Sequence, residues 1–503
     1  MNKNWSVIRN GLVMDPKFRS CERSDILIHN GKIKEINSLG MLVPEGSEEI
    51  EADGYILMPG LINAHTHGHG SLGKGLGDRW TLEHLLHAGS WLNNGRLLED
   101  KRLSANLNAV EMVLKGCTAT YDLYSEVPMV SVEGIEAVAA GYEDVGVRST
   151  IAPMMADITL YKAVPELLEA FPTKYQSIFS EIQAAPTQTL LNTCKSLLHK
   201  WPFDMTRSKI ALAPTIPLFC TDDFLLGCRD LSDQFQVGLH MHLSESRAQA
   251  VKGIQNYGKT LTNHLDHLGL ITENFTGAHC IWMDDEDIKR LANKGASVAH
   301  NPCSNLRLGN GIAPVHEMRA AGTNVGIGTD GSHCSDHQNM FENIRLASLV
   351  SRNVNPDTEA WLESSDVLQM ATSGSAQALG FGGKIGQLQP GFHADIIFLS
   401  LKSINFIPLN NPINQIVNSE DGSSVESVMV DGEFILLNRQ FTKIDFNKLY
   451  LDAQNATERL KAYNYESQKF ASSLEAYISQ FCVDFACKPF HVNRYVGNTQ
   501  TRS

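Results

Sequence analysis

The chain has 503 residues, 43% of them hydrophobic and 19% charged, which is ordinary for a globular protein and enough for a large core. Its formal charge of −14 argues against non-specific nucleic-acid binding, which needs a basic footprint, so no nucleic-acid partner is expected. Ten scattered cysteines without a Cys-x-x-Cys pair suit a reducing compartment rather than a disulfide framework, and no apolar run reaches membrane-spanning length.

The N-terminal stretch Met1-Asn2-Lys3-Asn4-Trp5 has no apolar leader, so a cytoplasmic protein with no membrane partner is expected. Residues 1–57 read as short strands and turns, with Asn30-Gly31 between two β-type runs as a hairpin signal. A matching β-rich stretch returns at 385–445, with a second turn at Asp431-Gly432. The two stretches are predicted to form one small β-sandwich domain drawn from both ends of the chain. Between them, residues 58–384 alternate apolar strands with helical stretches, the pattern of parallel βα units. Eight strand candidates stand at 58–67, 116–124, 145–154, 210–219, 237–242, 275–280, 296–300 and 324–330. They predict an α/β fold, a TIM (β/α)8 barrel with its active site at the C-terminal strand ends. A doubly wound sheet is the alternative, but no Gly-x-Gly-x-x-Gly turn follows the first strand. An insertion at 158–206 carries two helical patterns and reads either as a cap over the barrel mouth or as peripheral decoration. Residues 446–503 repeat apolar side chains at helical spacing and are read as an extension for packing or subunit contact, with a polar, frayed end from Asn493.

The chemistry gathers at the predicted strand ends. The first strand closes on His65-Thr66-His67, and because alternate strand residues share a face, the two imidazoles point the same way. The fifth ends His240-Met241-His242-Leu243-Ser244-Glu245, so one of its two histidines can join a metal. The sixth ends Gly277-Ala278-His279-Cys280, and the eighth Gly328-Thr329-Asp330. A lone strand-end histidine is as readily a hydrogen-bonded structural residue. Recurrence at four strand ends instead points to one divalent cation held by imidazoles and a carboxylate, with a position left open for water. Glu245, just past its strand, can ferry a proton from that water to a leaving group.

These motifs, with Pro59-Gly60-Leu61-Ile62-Asn63-Ala64 before the first pair, His300-Asn301-Pro302-Cys303-Ser304-Asn305 at the seventh strand, and Gly386-Gln387-Leu388-Gln389-Pro390-Gly391, resemble the amidohydrolase superfamily. The resemblance is to its mononuclear deaminase and chlorohydrolase branch, which includes cytosine deaminase and S-adenosylhomocysteine deaminase. It implies that His65, His67, His242 and Asp330 hold one divalent metal per chain, zinc or iron. It also implies that Glu245 shuttles protons, that His279 polarises the substrate or orients hydroxide, and that Asp330 helps deprotonate water. The fourth strand carries no lysine that could be carboxylated to bridge two metals, so a mononuclear site is expected. Its relatives imply a homo-oligomer.

The expected reaction is hydrolytic deamination of an aminated nitrogen heterocycle of purine, pyrimidine, pterin or triazine type, a small-molecule substrate. The alternatives are cleavage of an amide or urea C–N bond, hydrolytic dechlorination, and a catalytically inactive scaffold of this fold. Where adenosine-type members carry Pro-His-Ala-Pro, this chain has Pro214-Thr215-Ile216-Pro217. Where nucleoside-handling members carry an acidic residue, it has Trp91-Leu92-Asn93-Asn94. Both departures favour a free heterocycle over a nucleoside. Candidate substrate contacts are His69, Trp91, Thr215, His300, Asn305 and His333.

Overall fold

A computed structural model describes residues 5–496; Met1–Asn4 and the last part of the expected frayed tail, 497–503, lie outside the described residues. The Asn30-Gly31 hairpin forms as the sequence requires. Strands Cys21–His29 and Lys32–Asn37 pair antiparallel with His29 opposite Lys32, and both turn residues take positive φ, the geometry that matches strand twist. The second hairpin, Val425–Val430 with Glu433–Leu437, turns at Asp431-Gly432 in the same conformation.

A sandwich was expected from the two chain ends, but their strands form one nine-stranded hydrogen-bonded sheet. The reason is strand Tyr55–Pro59, which pairs parallel with Trp5–Met14 on one side and antiparallel with Ile396–Ser400 on the other. It carries the ladder from the N-terminal half into the C-terminal half. The sheet packs a core of its own from both halves, including Ile8, Ile28, Leu57, Ile396 and Met429. The predicted strand at 58–67 therefore divides: its first residues belong to this sheet, and Leu61–Thr66 opens the parallel region. Gly60 sits at the break, where a Cβ would stand 2.0 Å from Thr118 Oγ1.

The middle of the chain builds two parallel sheets in sequence order. One contains Leu61–Thr66, Cys117–Tyr124, Arg148–Met155 and the two short pieces Ser208–Ile210 and Ala213–Pro214. The other contains Leu239–Leu243, Phe275–His279, Ser297–His300 and Asn324–Ile327. Backbone bonds cross between them at both seams: His240 N to Leu212 O at 2.9 Å and His242 N to Thr215 O at 2.8 Å on one side, Asp330 N to His65 O at 2.9 Å on the other. These strands are buried on both faces, as parallel strands covered by helices must be.

The insertion forms four short helices, Leu160–Ala163, Pro165–Glu169, Thr173–Ser180 and Thr187–Lys200. The C-terminal extension forms helices Phe446–Ser472 and Glu475–Ala486, which bury Leu449, Leu460, Leu474, Ile478, Phe481 and Phe485 against the rest of the chain. Phe470 stacks on Phe179 of the insertion at 5.9 Å. No helix among the described residues is long and apolar enough to cross a membrane.

Candidate metal centre and active site

His65, His67, His242, His279 and Asp330 come from four strand ends and converge with at most 6% of any of them exposed. The chain leaves those strands in strained geometry. Ser244, His279, Cys280 and Asp330 all have φ between 48° and 68°, a region that costs non-glycine residues energy and is concentrated at functional sites.

The hydrogen bonds fix how the rings face. His67 Nδ1 donates to Leu123 O at 2.7 Å and His242 Nδ1 to Thr215 O at 2.9 Å. A carbonyl oxygen only accepts, so each ring carries a proton on Nδ1, and a neutral ring so held leaves a bare lone pair on Nε2. Those two Nε2 atoms stand 3.1 Å apart. Asp330 Oδ1 lies 3.2 Å from His67 Nε2 and 3.6 Å from His65 Nε2, which has no hydrogen-bond partner. Lone pairs and a carboxylate crowded together out of water repel unless a positive charge sits among them. Donor type, tautomer and spacing all fit a divalent cation. Burial disfavours charge on two of these rings: it lowers the His65 imidazole to about 3 and pushes His242 well below its usual range. Burial alone would raise Asp330, but the close approach of His65 and the neighbouring imidazoles outweighs it and holds the carboxyl well below its ordinary value.

His240, the other histidine of the fifth strand, lies behind the cage with its Nε2 at 3.2 Å from His65 Nδ1 and its ring edge-on to Tyr121. Asp330 is braced by Ser304 Oγ at 2.6 Å on Oδ2 and by Gly331 N at 2.8 Å on Oδ1. His279 donates from Nδ1 to Asn305 Oδ1 at 2.8 Å, which turns Nε2 toward Glu245 Oε2 at 3.6 Å and Asp330 Oδ2 at 3.8 Å. Glu245 is 1% exposed; burial, with the carboxylates of Asp330 and Glu83 nearby, pushes its carboxyl well above the usual range despite a hydrogen bond from Asn310.

A cavity of about 300 Å³ opens onto this cluster. Of the expected substrate contacts, His69, Thr215 and His333 line it. Trp91 does not: its indole turns away to pack edge-on to Trp80 at 6.4 Å and against Ala471 of the C-terminal helix, because that helix supplies the apolar partner on the far side. His300 and Asn305 are also buried outside the cavity wall; Asn305 is taken up by His279, and neither ring nitrogen of His300 has a partner. Much of the wall was not anticipated. Asn93, Ser125, Glu126, Met154 and Met155 contribute, together with Ala185 and Leu190 of the insertion. The 125–126 and 154–155 pairs sit at or just beyond strand ends, and that position alone could have flagged them. The insertion residues carry no such signal.

The Amidohydrolase family model matches residues 56–435. The chain is 31% identical to a 5'-deoxyadenosine deaminase from Methanopyrus kandleri over 458 residues, 90% of this chain and 98% of that protein. It is 31% identical to a 5-methylthioadenosine/S-adenosylhomocysteine deaminase from Carboxydothermus hydrogenoformans, covering 92% of this chain and all of the relative. Among solved structures, an adenosine deaminase from Xanthomonas campestris with bound zinc superimposes with a TM-score of 0.80 at 25% identity, over 91% of this chain and 98% of that one. Atrazine chlorohydrolase from Arthrobacter aurescens, complexed with zinc, gives 0.80 at 26% identity, over 90% and 99%. Family match, near full-length relatives and the converging strand-end residues agree: the chain belongs to the amidohydrolase family.

Proposed function

We propose that this protein is a metal-dependent hydrolase that deaminates an aminated nitrogen heterocycle, on a barrel whose two parallel sheets close into one eight-stranded ring. The observation that carries the reading is the set of imidazole lone pairs turned on one another beside Asp330, with Glu245 on the cavity wall and His279 buried beside it. His65, His67, His242 and Asp330 would hold one ion, with zinc favoured by the zinc-bound neighbours and iron the alternative. A divalent cation held there lowers the pKa of water toward neutrality and so supplies hydroxide at physiological pH.

The protein's own groups do the rest. Asp330, an acceptor on both oxygens, takes the proton as water is activated. Glu245, whose carboxyl burial pushes well above the usual range, ferries a proton from the water to the departing nitrogen, which an amine needs because a free amide ion is a poor leaving group. His279, fixed by Asn305, orients the incoming oxygen from between the two carboxyls. Chloride needs no such proton, so the placement of Glu245 favours deamination over dechlorination.

The substrate is a small heterocycle that fits an apolar wall of leucine, methionine and phenylalanine side chains with few polar contacts. The curated relatives are named for adenosine nucleosides and one structural neighbour for a triazine, so both belong in the test. The free-base preference suggested by Thr215 and Asn93 is set against those nucleoside relatives. Metal-replete protein is offered a panel of aminated purines, their nucleosides, pterins and triazines, and ammonia release is measured. Ammonia with an intact ring is expected; a ring-opened acid, or chloride as the sole product, overturns the reading.

A further inference from the structure

The segment from Phe446 onward lies beyond the family match, and its sequence suggests only packing or subunit contact. After the second of its helices, the chain runs past the sixth and seventh strand ends. Lys488 O accepts from Arg247 Nη2 at 2.7 Å. The Arg494 guanidinium donates to Met283 O, and Arg494 O accepts from Ile312 N at 2.9 Å. The fit is close at Gly311, where φ is 113° and a Cβ would stand 2.9 Å from Arg494 O. Trp282, three residues beyond His279 and 1% exposed, is enclosed by the edge-on rings of Phe490 at 6.1 Å and Tyr495 at 5.0 Å, with the Arg247 guanidinium 5.1 Å away over its ring.

This packing ends on one side chain. Trp282 Nε1 donates to Asn310 O at 2.9 Å, and Asn310 N donates to Asn305 O at 2.9 Å, so the Asn310 backbone is held at both its polar groups. Its side-chain Nδ2 then donates to Glu245 Oε1 at 2.9 Å. Asn310 is 3% exposed and Glu245 1%. The other carboxyl oxygen, Oε2, has no hydrogen-bond partner and faces His279 Nε2 at 3.6 Å. One oxygen is pinned; the other is left to meet the reacting atoms.

We propose that Asn310 is a positioning residue for Glu245 and that the tail 488–495 holds it there, which makes the C-terminal extension a working part of the active site. The inference rests on the role given to Glu245 above. A carboxyl on a side chain with three rotatable bonds reaches a fixed point only if something fixes its rotamer, and a displacement of about 1 Å costs on the order of 100-fold in rate.

The experiment compares Asn310→Ala, Glu245→Gln and the double variant in full-length protein, reading kcat, KM, metal content and melting temperature. Expected is a loss on the order of 10- to 100-fold in kcat for Asn310→Ala, with KM and metal content kept. Added to Glu245→Gln, which itself loses on the order of 10²- to 10⁴-fold, the substitution has no further effect, because its target is already gone. Phe490→Ala with Tyr495→Ala lowers kcat in the same manner, and Tyr495→Phe, which keeps the ring, restores it. Unchanged kcat in Asn310→Ala, losses that multiply in the double variant, or activity that falls only in step with metal content each overturn the proposal. A crystal structure of Asn310→Ala reads the Glu245 rotamer whatever reaction is catalysed. An unmoved carboxyl defeats the positioning role, whereas a moved carboxyl in a protein that releases no ammonia defeats only the assigned reaction.

Discussion

At the start of strand Arg148–Met155, the fully buried Arg148 guanidinium donates to Asp395 at 3.2 and 3.3 Å, to Asp431 at 2.7 Å and to Thr206 O. At the other end of the parallel strands, His65 Nε2, His333 Nδ1, Glu245 Oε2 and both ring nitrogens of His300 are buried with no hydrogen-bond partner. The same strands thus run from a pole where the Arg148 ion cluster is fully paired to one where these imidazole and carboxyl atoms are left open. Pairing at the first pole ties the nine-stranded sheet to the parallel region, since Asp395 and Asp431 belong to the former. Open valences at the second cost stability, and those of His65, Glu245 and His333 surround the candidate metal cluster and its cavity, the usual arrangement in which active sites trade stability for function.

The largest expected effect breaks the open pole. His242→Ala or Asp330→Asn should abolish metal binding and turnover, read by elemental analysis and ammonia release, while the melting temperature of the metal-free protein stays level or rises because crowded lone pairs have been removed. A clear fall in metal-free stability would mean the cage also holds the fold. The reverse is expected at the paired pole. Arg148→Ala leaves two acidic groups facing a buried gap and should cost about 3–5 kcal/mol in denaturant unfolding, with kcat of the folded fraction unchanged at low temperature.

Helix Leu82–Leu92, which contributes to the cavity wall, answers acid differently from the paired pole. His87, 5% exposed, sits beneath the C-terminal helix, with Nδ1 to Tyr161 OH at 2.7 Å and Nε2 to Ala471 O at 3.3 Å, and burial lowers its imidazole to about 4. A base whose folded pKa lies below its unfolded value of 6.5 destabilises the fold when protonated. Its contribution is therefore full above pH 6.5 and lost as pH falls toward 4, about 3 kcal/mol in all. Denaturant midpoints measured across that window should drop, and His87→Phe should make the drop shallower, the other buried imidazoles supplying the rest. Asp431 responds in the same direction but in a lower window: burial would raise it, but His393, Arg148 and Arg207 hold it well below the usual carboxylate range, so its contribution is full above its unfolded value of 3.8 and the paired pole survives the acid that removes that of His87. The smallest effect lies behind the cage. His240→Phe removes the group beside His65 Nδ1 and should weaken metal affinity roughly 10- to 100-fold, measured by competition with a chelator.

Part of the site was plain from sequence. His65 and His67 are two residues apart on a strand, so their shared direction needs no tertiary information, and Glu245 follows His242 by a fixed short loop. The hairpin turns at Asn30-Gly31 and Asp431-Gly432 were equally local. Trp91 was misread because whether a helical residue faces a cavity or its neighbour depends on what packs beside it, here Ala471 from a distant part of the chain. The wall residues of the insertion and the path from Tyr495 through Trp282 to Asn310 were invisible for the same reason.

By itself, the sequence determined which donors exist and which strand ends carry them, because side-chain alternation along a strand is a property of two or three neighbouring residues. Tertiary structure alone decided which lone pairs meet, which histidine of His240 and His242 faces the cage, and what roofs the cavity. Those outcomes depend on contacts between segments up to 401 residues apart, such as Thr81 with Cys482, and no local pattern encodes them.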